Sequence, residues 1–248
     1  GGRRPEVSAM GWQGLFALWR KDVLSFWLSP LWWVVAAVFL ALTGWYYLAV
    51  VASFQAPDLR FLLDHMVVLL LFVVPALTMR LWAEEQQRGT AELLLTAPVT
   101  LNQVVLAKFF AVLTLLTVLL GVTGIYPAVT AAYGTVEWPM LLVGYLGVWL
   151  VAATFAAAGL LASTLSDSQV IAAVAGFGIL LALYMLDWAA GAVGGTLGDV
   201  LRAASVWENL SDFIDGVLDT RRLVYFLSLI FGFLFLTVRN VERRTWAA

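Results

Sequence analysis

Six stretches of the chain are apolar for long enough to cross a bilayer: Leu31–Ser53, Leu63–Leu81, Val104–Ala128, Met140–Ser163, Val170–Asp187 and Val224–Arg239. A spanning helix needs roughly 17–25 mostly apolar residues. Each stretch is continuously apolar. Membrane strands would instead alternate over about ten residues. The pattern therefore predicts an all-α, polytopic membrane protein with six transmembrane helices. Polar grammar marks the boundaries. Thr100-Leu-Asn-Gln103 before the third span and Ser166-Asp-Ser-Gln169 before the fifth are capping-box sequences. Pro75 and Pro127 fall within spans and predict kinks, which helix bundles in membranes tolerate.

Three segments outside the spans carry pattern of their own. Between Ser8 and Phe26, the residues Trp12, Leu15, Phe16, Trp19, Val23 and Phe26 recur at helical spacing, with Gln13, Arg20 and Lys21 on other faces. That describes either a helix lying in the membrane surface or the ragged start of the first span. Ser29-Pro30 then turns the chain. The stretch from Trp82 to Pro98 is polar. Gly89 can end one helix, Thr90 can cap the next, and Pro98 discourages continuation. It reads as two short helices with a corner, or as a solvated connector. The outer segment, residues 187–222, opens on Gly191, Gly194, Gly195 and Gly198, a flexible start. A third capping box, Ser205-Val-Trp-Glu208, follows. Val206, Leu210, Phe213, Ile214, Val217 and Leu218 then form one amphipathic helix, serving as packing or as a lid.

Composition agrees with the spans. Apolar residues make up 62% of the 248 and charged residues 12%, against roughly 25% charged in a soluble domain. Net charge is −2, so there is no basic footprint for nucleic acid. Cysteine is absent and His65 is the one histidine, which excludes thiolate chemistry and multi-His metal sites within the chain. The first thirty residues do not read as a signal peptide, since no small-residue cleavage site follows the first apolar run. Six spans put both termini on one side. Arg3, Arg4, Arg20, Lys21, Arg80, Arg88, Lys108, Arg239, Arg243 and Arg244 fall on that side. Arg60, Arg202, Arg221 and Arg222 fall on the other. This bias predicts cytoplasmic termini.

Chemistry is sparse. Ionisable residues cluster near span ends rather than at mid-bilayer, where they would be costly. Asp64 and His65 read as a satisfied or water-exposed pair at the outer end of the second span. A phosphate-binding loop needs a Gly-rich run ending in Lys and Ser or Thr. The lysines are Lys21 and Lys108, followed by Asp22 and Phe109. No cofactor site is expected in the chain. Small residues in the fourth span (Ala152, Ala153, Ala156, Ala157, Ala158 and Gly159) and the fifth (Ala172, Ala173, Ala175, Gly176 and Gly178) allow close helix approach, within the bundle or between subunits.

Pro75-Ala-Leu-Thr-Met-Arg80, Ala83-Glu84-Glu85, Gly89-Thr90, Glu92-Leu-Leu-Leu-Thr96 and Pro98 together resemble the permease subunit of ABC-2 type transporters, closest to the gliding-motility (GldF-like) branch. Lys21-Asp22, Ser29-Pro30, Lys108, Ser163-Thr-Leu-Ser-Asp-Ser-Gln169, Gly216-Val-Leu-Asp-Thr-Arg221 and Val224-Tyr-Phe-Leu-Ser-Leu229 extend the resemblance over nearly the whole chain.

The resemblance implies an N-terminal interfacial elbow helix in residues 1–30, containing Trp12, Phe16, Trp19, Arg20 and Lys21. It implies a six-helix domain over residues 31–240 with a cytoplasmic coupling helix in residues 82–101, and a cytoplasmic tail from 241 to 248. Glu84, Glu85, Arg88, Gly89, Thr90, Glu92, Leu94 and Pro98 are then expected to dock a separate ABC ATP-binding subunit dimer, which holds ATP and Mg. A second permease subunit, an extracytoplasmic accessory protein and membrane lipids are further expected partners, in a bacterial plasma (inner) membrane. The expected function is ATP-driven transport, in the direction of export. An ATP-independent channel or carrier, a membrane anchor for a partner complex, and an intramembrane enzyme are the alternatives. The sequence does not name a substrate.

Overall fold

A computed structural model describes residues 6–54, 58–87 and 100–247. The described residues are mostly helical, without strands. In chain order the helices are α1 (Glu6–Trp27), α2 (Pro30–Phe54), α3 (Leu59–Gln87), α4 (Leu101–Thr123), α5 (Ile125–Tyr133), α6 (Trp138–Ser163), α7 (Gln169–Val193), α8 (Gly195–Ala203), α9 (Val206–Ile214) and α10 (Thr220–Ala247). Six segments among them are long and apolar enough to cross a membrane: Pro30–Ser53, Leu59–Ala83, Leu101–Tyr133, Trp138–Ser163, Gln169–Val193 and Thr220–Arg243.

The bundle is organised around α6. Every residue from Leu150 to Leu160 is buried, and α3, α4, α7, α9 and α10 all pack on this helix. The small residues of α6 serve this internal packing. A Cβ on Gly159 would collide with the side chain of Thr78 on α3. On α7, Gly176 faces Ala162 and Pro75 in ordinary contact, but Gly178 has nothing within 4 Å.

The third span is longer than Val104–Ala128 and breaks at Gly124 between α4 and α5. Pro127 lacks the N–H that would bond the carbonyl of Thr123, so the helix is interrupted there. Pro75, in contrast, is carried inside a continuous α3. The capping box at Thr100 forms as expected: Thr100 Oγ1 accepts from the Gln103 N–H at 3.4 Å, and Gln103 Oε1 from the Thr100 N–H at 3.0 Å. The one expected at Ser166 does not. Ser168 occupies the N-cap, and Ser166 Oγ accepts the N–H of Ser168 instead.

The segment between the fifth and sixth spans differs most from expectation. Its glycine-rich start is ordered. α7 runs on through Gly191 to Val193, and Gly194 and Gly195, with φ of 65° and 63°, make a sharp turn into α8. The amphipathic helix ends at Ile214, because Gly216 (φ 81°) turns the chain at a point where an added Cβ would meet Met140. Val217 and Leu218 are therefore exposed, at 55% and 58%. Val206, Leu210 and Phe213 are fully buried, and Phe213 sits where a Cβ on Gly147 of α6 would lie 2.5 Å from it. Arg222 holds α9 to α10 through Asp212 (2.8 Å) and Asn209 (3.0 Å).

Asp64 and His65, expected as a satisfied or water-exposed pair, are both partly exposed. His65 stacks on Tyr46 with ring centroids 4.0 Å apart. Asp64 Oδ1 is buried with no hydrogen-bond partner among the described residues.

Candidate functional site

Charge is scarce in this chain, so the one deeply buried cation among the described residues stands out. Lys108 lies two turns into α4 with its side chain 3% exposed. Three elements converge on it. Glu85, in the last turn of α3, places Oε2 at 2.7 Å from the ammonium nitrogen. Asp22 of α1 places Oδ2 at 3.7 Å. Lys21 approaches the other Glu85 oxygen at 3.3 Å from the exposed edge. The ring of Trp82 lies 5.8 Å from the Lys108 nitrogen, a cation–π contact.

Neighbouring bonds fix the same end of the bundle. The N–H groups of Trp82 and Ala83 donate to Ser163 Oγ at 3.0 and 3.4 Å, pinning the last turns of α3 to the end of α6. Arg80 donates to Ser29 Oγ at 2.6 Å, in the turn between α1 and α2. Trp19 Nε1 donates to Thr114 Oγ1 at 3.1 Å, so α1 lies along α4. Asn240 of α10 reaches the carbonyl of Thr164 at 3.1 Å.

The electrostatics are those of a buried pair with an extra acid. Burial pushes the Asp22 carboxyl above its ordinary value, and the nearby Lys108 ammonium only partly offsets this. Glu85, with the shortest contact, is the principal partner of the cation. Lys21 is 56% exposed, so water screens its share. Such a cluster adds little net stability against apolar packing, but it fixes one relative placement of the helices. Here it fixes the last turn of α3, from which the chain runs on towards Pro98.

The residues singled out in the sequence distribute as follows. Glu85 points inward to Lys108 and Lys21 rather than to a surface. The side chain of Glu84, and Arg88, Gly89, Thr90, Glu92, Leu94 and Pro98, lie outside the described residues. On α1, Trp12 and Phe16 are exposed (79% and 59%), Arg20 is exposed, and Trp19 and Lys21 make the bonds above. Besides Lys108 and Trp82, two participants were not foreseen as site residues. Asp22 is the polar residue that α1 turns inward, and Ser163 is the hydroxyl that holds α3. The signal available for the first was a charged pair, Lys21-Asp22, in a helix otherwise apolar on its inner side.

The sequence pattern of the ABC-2 family transporter proteins matches residues 40–215, from within α2 to just past α9. The chain belongs to the ABC-2 transporter family. A comparison with curated proteins found no match. As an ABC-2 permease it is a multi-pass membrane component of an ABC transporter, a class that associates with an ABC ATP-binding subunit. The matched region contains Glu85 and Lys108 and leaves Asp22 outside it.

Proposed function

We propose that this permease moves its substrate outward across a bacterial plasma membrane, driven by ATP hydrolysis on a separate subunit pair gripping the segment between α3 and α4. ATP and Mg belong to that partner. The termini and the Lys108 cluster face the cytoplasm, consistent with the excess of Lys and Arg on that side. A second permease subunit, the same or related, completes the pathway. The gliding-motility branch remains the resemblance that the Glu84–Pro98 block favours.

One observation carries this reading. The segment that would receive the partner begins at the last turn of α3, and that turn is bound to α1 and α4 through buried charge. A push on the segment is thus passed into two other helices rather than absorbed by a loose connector. Arg88, Thr90 and Glu92 are the surface contacts. Glu85 is reassigned from direct docking to holding the base of the segment.

The test is copurification of the ATP-binding subunit from native membranes with wild-type chain and with the Arg88→Glu/Glu92→Lys variant. Partly desolvated charge pairs at an interface are sensitive to reversal. We expect the ATP-binding subunit to accompany the wild type and to be lost from the variant, which stays inserted. Undiminished copurification with the variant would remove this segment from the interface.

A further inference from the structure

Where α10 leaves the membrane, it borders an open groove of about 450 Å³. Leu161 of α6, Leu165 in the following turn, and Phe235 and Leu236 of α10 line it, and its far end carries Arg239 and Arg243. Leu165, Phe235 and Leu236 are about half exposed, so an apolar channel stands open beside two guanidinium groups. Asn240 closes the floor by donating to Thr164.

Arg239 and Arg243 are four residues apart and so share a face of the helix. The span ends at Arg243, which puts both at headgroup depth with the apolar walls below them. Arg239 is held over the Phe235 ring at 5.1 Å, and Glu242 at 3.0 Å neutralises part of its charge. Among the described residues Arg243 has no acidic partner. A second groove, on the other side of Arg239, is lined by Glu242 as well and does not offer an unopposed cation.

We propose that the groove binds one anionic phospholipid. Its acyl chain lies along Leu161, Leu165 and Leu236, and its phosphate sits between Arg239 and Arg243. Guanidinium groups bond phosphate through paired N–H donors. A net negative headgroup is favoured because this groove presents cations without an acid on its own wall. The site is separate from the Lys108 cluster and does not depend on the identity of the ATP-binding partner.

The probe is a nanodisc containing equal phosphatidylglycerol and phosphatidylcholine, with native mass spectrometry of the full chain released from it. Wild type is expected to retain the anionic lipid about tenfold over the zwitterionic one. Arg239→Gln/Arg243→Gln should bring the two close to parity, and Arg243→Lys should keep the preference. No preference in the wild type, or an undiminished one in the double Gln variant, would overturn the assignment. So would efficient disulfide dimerisation of Leu236→Cys in membranes, which would mean that a second copy fills the groove.

Discussion

Lys108→Met is expected to loosen its end of the bundle by about 3–5 kcal/mol, the usual consequence of removing one partner from a buried ion pair. Asp22 and Glu85 would then face one another with side chains only 11% and 14% exposed and no buried cation between them. Lys21 cannot compensate, since it reaches Glu85 from water. Thermal unfolding in detergent reads the loss. Asp22→Asn is the informative contrast. Burial already disfavours the Asp22 carboxylate, so removing its charge relieves part of the cluster's cost, and its effect should be well below that of Lys108→Met. Equal losses from the two variants would mean that the cluster is ordinary packing. Because α1, α3 and α4 meet here, Lys108→Met is also expected to lower transport-linked ATP hydrolysis in a reconstituted complex more than its remaining folded fraction explains.

Gly159→Ala should produce the second large effect, by a steric route. The added methyl would strike Thr78, whose Oγ1 is tied to the Val74 carbonyl at 2.9 Å and whose β-branched side chain is buried. A stiff χ1 leaves Thr78 no easy retreat, so α3 must move away from α6. Overpacking of this kind costs about 1–3 kcal/mol. Thr78→Ala in the same chain removes the nearest atom, Oγ1, together with Cγ2, and should restore much of the loss, again read by thermal unfolding. If the Gly159→Ala variant unfolds at the wild-type temperature, α3 and α6 are not packed as closely as described.

The spans were legible in the sequence because bilayer thickness demands long apolar runs and few other constraints produce them. Residue placement across helices was less so. Glu85 reads as a solvent-facing charge in a polar segment, yet its position on the last turn of α3 brings it to Lys108. That encounter depends on how α3, α4 and α1 cross, which periodicity along one helix does not encode. The amphipathic helix before Gly216 is legible in the sequence but ends earlier than its apolar spacing. Val217 and Leu218 continue the apolar spacing past Gly216, and only the left-handed backbone of that glycine ends the helix. Ser166 carried a capping signature, but the turn after α6 placed Ser168 at the cap. Docking through Arg88, Thr90 and Glu92 rests on the family resemblance and on the anchoring of α3.

The most direct measurement is labelling of Thr90→Cys in sealed membranes with a membrane-impermeant maleimide. The chain contains no cysteine, so the signal is unambiguous. We predict labelling only from the cytoplasmic face, and protection when the ATP-binding subunit is added. Labelling from the outer face, or from the cytoplasmic face with no protection by that subunit, would contradict the proposal that the segment after α3 receives the driving force.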